Sequence, residues 1–274
     1  MQSNLTAIVI AKNEANMLAA CLETLSFCER IIVVDNGSSD DTVKIADSYG
    51  CQLLNFANDS FAALRDKPLS MVKTDWLIYV DADERVSPAL AKEILTHVNA
   101  ADCQAMTLQR DNVCYGHRFF HGGWQHDQVT RVFRKDALQG WFGEIHESPR
   151  YSGQAITLNN QLLHLTHRNT QDNLRKSADW TIKEAQALAE AGLPPVTLPL
   201  ILRKGVMEFY RRALRQGGHK DGMAGLVEAL VQAINRMIIY IQVWELQQKP
   251  SLPKRYQKEE QLMKQLWRSQ GKLF

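Results

Sequence analysis

Two carboxylates separated by one residue, Asp81-Ala82-Asp83, follow the apolar run Trp76-Leu77-Ile78-Tyr79-Val80. A buried strand that ends this way sets hard oxygen donors side by side at the mouth of a sheet. Such donors suit Mg2+ or Mn2+, which bind through one or two carboxylates and fill their shells with substrate phosphates. Asp-x-Asp alone is common; its place after a strand gives it meaning. Two other apolar runs also end in polar groups, Leu5 to Ile10 before Lys12-Asn13-Glu14 and Arg30 to Val34 before Asp35. The first of these excludes a dinucleotide site, because Ala11-Lys12-Asn13-Glu14-Ala15 lacks the Gly-x-Gly-x-x-Gly that lets backbone approach a pyrophosphate. A nucleotide held by side chains and a metal fits better.

These ends need a scaffold that brings them to one edge. Strands are expected at 5–10, 30–34, 51–56 and 76–80. Helices are expected at 16–25, from Thr42 behind a capping Asp40, at 60–73, and after Ser87-Pro88, where Ser is the N-cap and Pro the first helical residue. Strands that alternate with helices and are apolar throughout predict a mostly parallel sheet covered on both faces. Ligands of such sheets bind at the carboxyl ends of the strands. Beyond Ala100 the pattern turns to strands at 104–109, 118–120, 129–133 and 156–158. From Asp172 it is helical, with a break at Leu193-Pro194-Pro195, a loop at 216–219 and a long apolar helix from Met223 to Leu246. Two domains are expected, 1–167 and 168–274.

The segments ending in Lys12-Asn13-Glu14, in Asp35-Asn36-Gly37-Ser38-Ser39-Asp40-Asp41-Thr42 and in Asp81-Ala82-Asp83-Glu84 resemble, in order and spacing, the signature segments of family 2 glycosyltransferases. Gly123-Trp124, Asp127, Arg131-Val132-Phe133-Arg134, Trp141, Gly143, His146-Glu147 and Asp221 to Leu226 are similar to the branch that holds lipopolysaccharide core β-1,4-glucosyltransferases. The resemblance implies an α/β GT-A fold, Rossmann-like with a mostly parallel sheet, and a helical C-terminal extension. It also implies an inverting, metal-dependent hexosyltransferase acting on a UDP-sugar donor. The favoured reaction moves glucose from UDP-glucose to an inner-core heptose of a lipid-linked oligosaccharide, the lipopolysaccharide core. On this reading Asn13, Glu14, Asp35, Arg65 and Asp81 bind the nucleotide sugar: Asp35 takes the uracil imide, Glu14 the ribose hydroxyls, and Arg65 the base or phosphates. Asp81 and Asp83 hold Mg2+ or Mn2+, with His146 as a further ligand or an orienting group.

Inversion needs a base within hydrogen-bond reach of the acceptor hydroxyl. Glu147, after the aromatic stretch from Trp141, is the first choice and Asp127 the second, with Glu144 and Glu84 behind them. His121, Trp124 and His126 read alone as a packed turn, and within the family as a wall for acceptor or donor sugar. The alternatives are a family 2 transferase using another UDP-sugar on a different glycan, lipid or peptide, and a non-catalytic nucleotide-sugar binding protein. A sugar nucleotidyltransferase is disfavoured, since its Gly-rich basic first turn is missing.

The formal net charge of +2 excludes a globally basic nucleic-acid binder and conceals a split. Residues 1–167 carry 14 Lys and Arg against 20 Asp and Glu, and residues 168–274 carry 18 against 10. A helix at 223–246 bordered by basic residues suits an anionic membrane surface, with Tyr240 and Trp244 as interfacial anchors, or else a core or dimer helix. Five cysteines in no metal-binding spacing read as reduced. With no basic leader segment and no unbroken apolar run of about 20 residues, the expected location is cytoplasmic, peripheral on the inner face of the cytoplasmic membrane.

Overall fold

The computed structural model describes residues 4–143 and 147–270. Two compact units divide it, Met1–Thr170 and Gln171–Phe274.

The first unit runs β1 (Leu5–Ala11), α1 (Ala15–Glu23), β2 (Arg30–Asp35), α2 (Thr42–Ser48), β3 (Gln52–Asn55), α3 (Phe61–Asp66), β4 (Trp76–Asp81), β5 (Glu84–Arg85) and α4 (Pro88–Ala100). It continues through β6 (Ala105–Cys114), β7 (His117–Arg118), β8 (Gln128–Arg134), β9 (Leu138–Phe142), β10 (Ser148–Tyr151), β11 (Ala155–Thr157) and β12 (Leu162–Leu165). The sheet order is β3-β2-β1-β4-β8-β6-β12-β5, with β7 and β11 also paired to β6. β3, β2, β1 and β4 are parallel, β8 is antiparallel to both neighbours, and β12 runs parallel to β6. β9 and β10 form a separate antiparallel pair.

Alternate residues of the parallel strands enter two cores. Leu5, Ala7, Val9, Val33, Ile78 and Val80 pack with Leu18 and Leu22 of α1 and with Leu90, Ile94 and Val98 of α4. On the opposite face Ile8, Ile32, Val34, Leu77 and Tyr79 meet Leu64, Phe133 and Trp141. With both faces covered, each strand must be apolar throughout, and its first polar side chains come where it leaves the sheet.

The expected helix over 60–73 is shorter. α3 ends at Asp66 and a 3-10 turn follows over Lys67–Met71, since Pro68 has no N–H for an α-helical bond. The strand expected at 104–109 extends to Cys114, while β7 keeps only two residues of its neighbourhood. β9, β10 and β12 were not evident in the sequence: Gly140 interrupts the first and Pro149 sits in the second. None of the five cysteines forms a disulfide.

The second unit holds α5 (Thr170–Glu190), α6 (Leu198–Phe209), a π turn (Tyr210–Arg215), α7 (Gly222–Leu246) and α8 (Leu252–Gln270). Its core gathers Ala185, Val196, Ile239, Tyr240 and Val243. α6 lies along α7, and Gly205 leaves the space that the Met237 side chain takes. By length and composition alone the helix over Gly218–Leu246 could cross a membrane; α7 buries Glu228, Asn235 and Ile239 on one side and leaves Met223, Leu230, Ile241 and Trp244 exposed. α8 is an addition to the expected elements.

Ser87 holds the start of α4, its Oγ accepting the Leu90 N–H at 3.2 Å. Ser87→Ala is expected to destabilise the first unit by about 1 kcal/mol in urea unfolding, whereas Ser87→Asp should be close to neutral.

Candidate functional site

Register puts the polar strand ends in one row. Ala11 of β1 stands level with Asp35 of β2, and Ile10 stands level with Asp81 of β4. Asp35, 6% exposed, accepts the Gly37 and Ser38 N–H groups at 3.2 Å, a turn that Gly37 permits at φ +75°. The loop after β1 is tied to that turn. Asn13, at φ +55°, donates its N–H to Ser38 Oγ (2.9 Å) and accepts the Ser39 N–H on Oδ1 (2.8 Å). Asn is among the few side chains that tolerate this conformation. Glu14 donates its N–H to Thr42 Oγ1 (2.9 Å), and its carboxylate accepts from Arg168 Nη1 at 3.3 Å. Asn13, Glu14 and Asp35 thus form one hydrogen-bonded rim.

Asp81 is the hub beside that rim. Its Oδ2 accepts from Arg131 Nη2 at 2.8 Å and Arg110 Nη2 at 3.2 Å, and its Oδ1 accepts from Arg65 Nη2 at 3.3 Å. Arg65, on α3, also gives two donors to Glu147 Oε1, at 3.0 and 3.2 Å, and stacks 4.9 Å over Trp141. Arg110 bonds Glu84 Oε1 through Nε at 2.7 Å, and Glu84 Oε2 accepts the Asp81 N–H at 2.8 Å. Arg131 comes from an irregularity: the register passes from Met106↔Val132 to Thr107↔Thr130, leaving Arg131 as the extra residue of a bulge. Bulges re-aim side chains in this way.

The electrostatics follow. Burial alone would raise the Asp81 carboxyl, but Arg131, then Arg65 and Arg110, hold it far below the ordinary carboxylate range. Burial and the neighbouring Asp81 charge push Glu84 up, against the pull of Arg110. Burial pulls Arg131 down, while Arg110 is raised by Glu84 and Asp81 despite its own burial.

Asp83 faces elsewhere. Its Oδ2 lies 3.8 Å from Nε2 of His164 on β12, and both side chains are 12% exposed. Burial pushes His164 down to about 4, so the imidazole is neutral near pH 7. Asn112 fixes its tautomer. Nδ2 of Asn112 donates to the Asp127 carboxylate at 3.0 Å, which leaves Oδ1 as an acceptor for the His164 Nδ1–H at 2.6 Å. Nε2 then carries a lone pair rather than a proton and is able to ligate. Asp127 also lies 3.7 Å from Arg110 Nη1.

The structure therefore brings Asp81, Arg65, Glu147, Asp127 and Asp83 into one connected set. His146 and Glu144 lie outside the described residues. No group of three His, Cys, Asp or Glu side chains is arranged to hold a metal among the described residues. The Arg65 side chain, expected at the base or phosphates, is 3% exposed, and its donors go to the carboxylates of Asp81 and Glu147. The motifs in the sequence did not point to Arg110, Asn112 or His164, and they showed Arg131 only as part of a longer segment. The one signal for His164 was a polar residue inside the short apolar run Leu162-Leu163-His164-Leu165. Trp124 packs edge-on against Phe119 and His167, at centroid distances of 6.4 and 5.3 Å.

Residues 6–160 match the family model for Glycosyl transferase family 2. The chain is 24% identical over 250 residues to the lipopolysaccharide core biosynthesis glycosyltransferase LpsC of Rhizobium meliloti, covering 88% of this chain and 92% of that protein. It is 22% identical over 273 residues to an uncharacterized glycosyltransferase of Rickettsia bellii, covering 90% and 88%. Among solved structures, glucosyl-3-phosphoglycerate synthase from Mycobacterium tuberculosis, in complex with Mn2+, UDP and phosphoglyceric acid, superposes with a TM-score of 0.46 at 15% identity, covering 71% of this chain and 81% of that one.

Removing one charge from a buried ionic cluster leaves its partners uncompensated. Asp81→Asn is expected to cost about 3 kcal/mol in urea unfolding, against less than ~1 kcal/mol for Asp136→Asn, which breaks an exposed pair with Arg134. A depressed carboxyl contributes fully above its unfolded pKa, about 4 for Asp, and loses that contribution as pH falls. The gap between wild type and Asp81→Asn should therefore narrow below about pH 4.

Proposed function

The chain belongs to glycosyl transferase family 2, and from that premise we propose that its GT-A unit transfers a hexose, glucose in the favoured case, from a UDP-sugar with inversion. The proposed acceptor is an inner-core heptose of lipid-linked lipopolysaccharide core oligosaccharide at an anionic membrane surface, on the cytoplasmic face. Its support is the likeness to LpsC along 88% of the chain.

The observation that carries the chemistry is the division of labour at the end of β4. Asp81 engages three guanidinium groups, whereas Asp83 and the neutral His164 offer an oxygen and a nitrogen donor side by side. This pair fits a divalent cation, and the nitrogen favours Mn2+ over Mg2+, which keeps to oxygen. Asp83 and His164 would hold the ion in place of the set Asp81, Asp83 and His146 first expected. A bound ion supplies Lewis-acid stabilisation of charge on the departing diphosphate.

The chain's own groups do the rest. Asp35, fixed by two backbone N–H groups, presents its remaining lone pairs to the uracil imide. Glu14, steadied by Arg168, takes the ribose hydroxyls, and Asn13 shapes the loop that carries it. Arg65 is a positioning residue that fixes Asp81 and Glu147 relative to each other. Glu147 uses Oε1 for Arg65, and Oε2 is the oxygen proposed to take the acceptor proton. Asp127 is the second candidate, held by Asn112 on the His164 side.

Glu147→Gln should keep UDP binding and lose about 100-fold or more in turnover, measured as UDP release with acceptor. A fully active Glu147→Gln beside a dead Asp127→Asn would move the base to Asp127. Release of UDP from UDP-glucose should exceed that from UDP-galactose and UDP-N-acetylglucosamine and should stop in EDTA. Undiminished release in EDTA would contradict the metal role.

A further inference from the structure

α8 is a helix without a buried face. From Pro253 to Ser269 every residue is exposed, including Tyr256 (74%), Met263 (56%), Leu266 (52%) and Trp267 (64%). At 3.6 residues per turn these four and Leu262 fall within about 140° of arc. Lys254, Lys258, Lys264 and Arg268 occupy the opposite face. Arg255 turns back instead, donating to the Pro250 carbonyl at 3.0 Å and to Gln248 Oε1 at 3.1 Å, which ties the start of the helix to the end of α7.

Isolated helices of this length are marginal in water, because most helical stability comes from packing an apolar face. The ion pair along α8, Lys264 with Glu260 at 4.0 Å, is exposed and weak. The helix therefore needs an occupant for its apolar face. Its charge says which: five Lys and Arg against Glu259 and Glu260 give a cationic helix. A second copy of α8 would bring the same sign of charge, whereas anionic lipid brings the opposite one. Aromatic and aliphatic residues on one face with Lys and Arg on the other are the composition of helices that lie in the plane of a membrane interface.

We propose that α8 is the element that seats this protein on an anionic membrane, with Tyr256, Leu262, Met263, Leu266 and Trp267 at the acyl boundary and the lysines among the headgroups. This deepens the membrane part of the function proposed above and rests on it. It adds to the contact expected of α7, whose Met223, Trp244 and Leu246 are also exposed, a helix that buries no face.

The test is flotation of the full chain with phosphatidylglycerol-containing vesicles and with pure phosphatidylcholine vesicles. Wild type should float with the first and not the second. Leu266→Glu/Trp267→Glu and Lys264→Glu/Arg268→Glu should each lose at least tenfold in bound fraction, with UDP release on a soluble acceptor unchanged. Wild type that floats with neither vesicle overturns the membrane reading and this proposal together. Variants that float like wild type overturn α8 alone. If Leu266→Glu/Trp267→Glu instead converts a dimer to a monomer with flotation intact, the occupant is a second copy and the proposal is wrong. Flotation lost as described, with no transfer by any form, would support α8 and count against the transferase.

Discussion

Three guanidinium groups buried against the carboxylate of Asp81 are the constraint on which the first unit depends. Each comes from a different element: Arg65 from α3, Arg110 from β6 and Arg131 from the bulge in β8. A buried charge left without its counterpart costs several kcal/mol, so these elements must dock together or not at all. Glu84 and Glu147 complete the cluster by taking the second donors of Arg110 and Arg65.

The cluster also sorts the two carboxylates of Asp81-Ala82-Asp83 into different roles. One residue apart, they point to different neighbours. Asp81 is saturated with cationic donors and serves as an anchor that holds the Arg65–Glu147 pair in register with the strand end. Asp83 keeps its carboxylate beside a neutral imidazole whose proton is committed to Asn112. Asn112 is then the link between the proposed metal end and Asp127, one amide serving both.

Much of the fold was legible because buried parallel strands are apolar from end to end and stop at polar residues. The ends of β1, β2 and β4, and the candidates Asn13, Glu14, Asp35, Asp81 and Asp83, could be read in this way. The arginine cluster could not. Its contacts span 16 to 82 residues of sequence, and an isolated Arg in a strand looks like a solvated side chain until its neighbours are known. His164 was hidden for a related reason, since β12 is four residues long and leaves no pattern. Arg65 stood out in the sequence because its residue type suggested a phosphate, while its carboxylate partners, 16 and 82 residues away, were not readable there. Its guanidinium lies over the Trp141 ring and donates to both carboxylates. α8 has helical spacing, but a search for cores passes over a helix that buries no face.

Asp83 and His164, rather than Asp81, are the proposed holders of the divalent ion, and Mn2+ binding tests this most directly. The full chain with saturating UDP would be titrated with Mn2+ and followed by electron paramagnetic resonance. His164→Gln and Asp83→Asn should each weaken Mn2+ binding tenfold or more while leaving the thermal midpoint of the metal-free protein within a few degrees of wild type. Mn2+ bound as tightly by His164→Gln as by wild type would contradict the assignment.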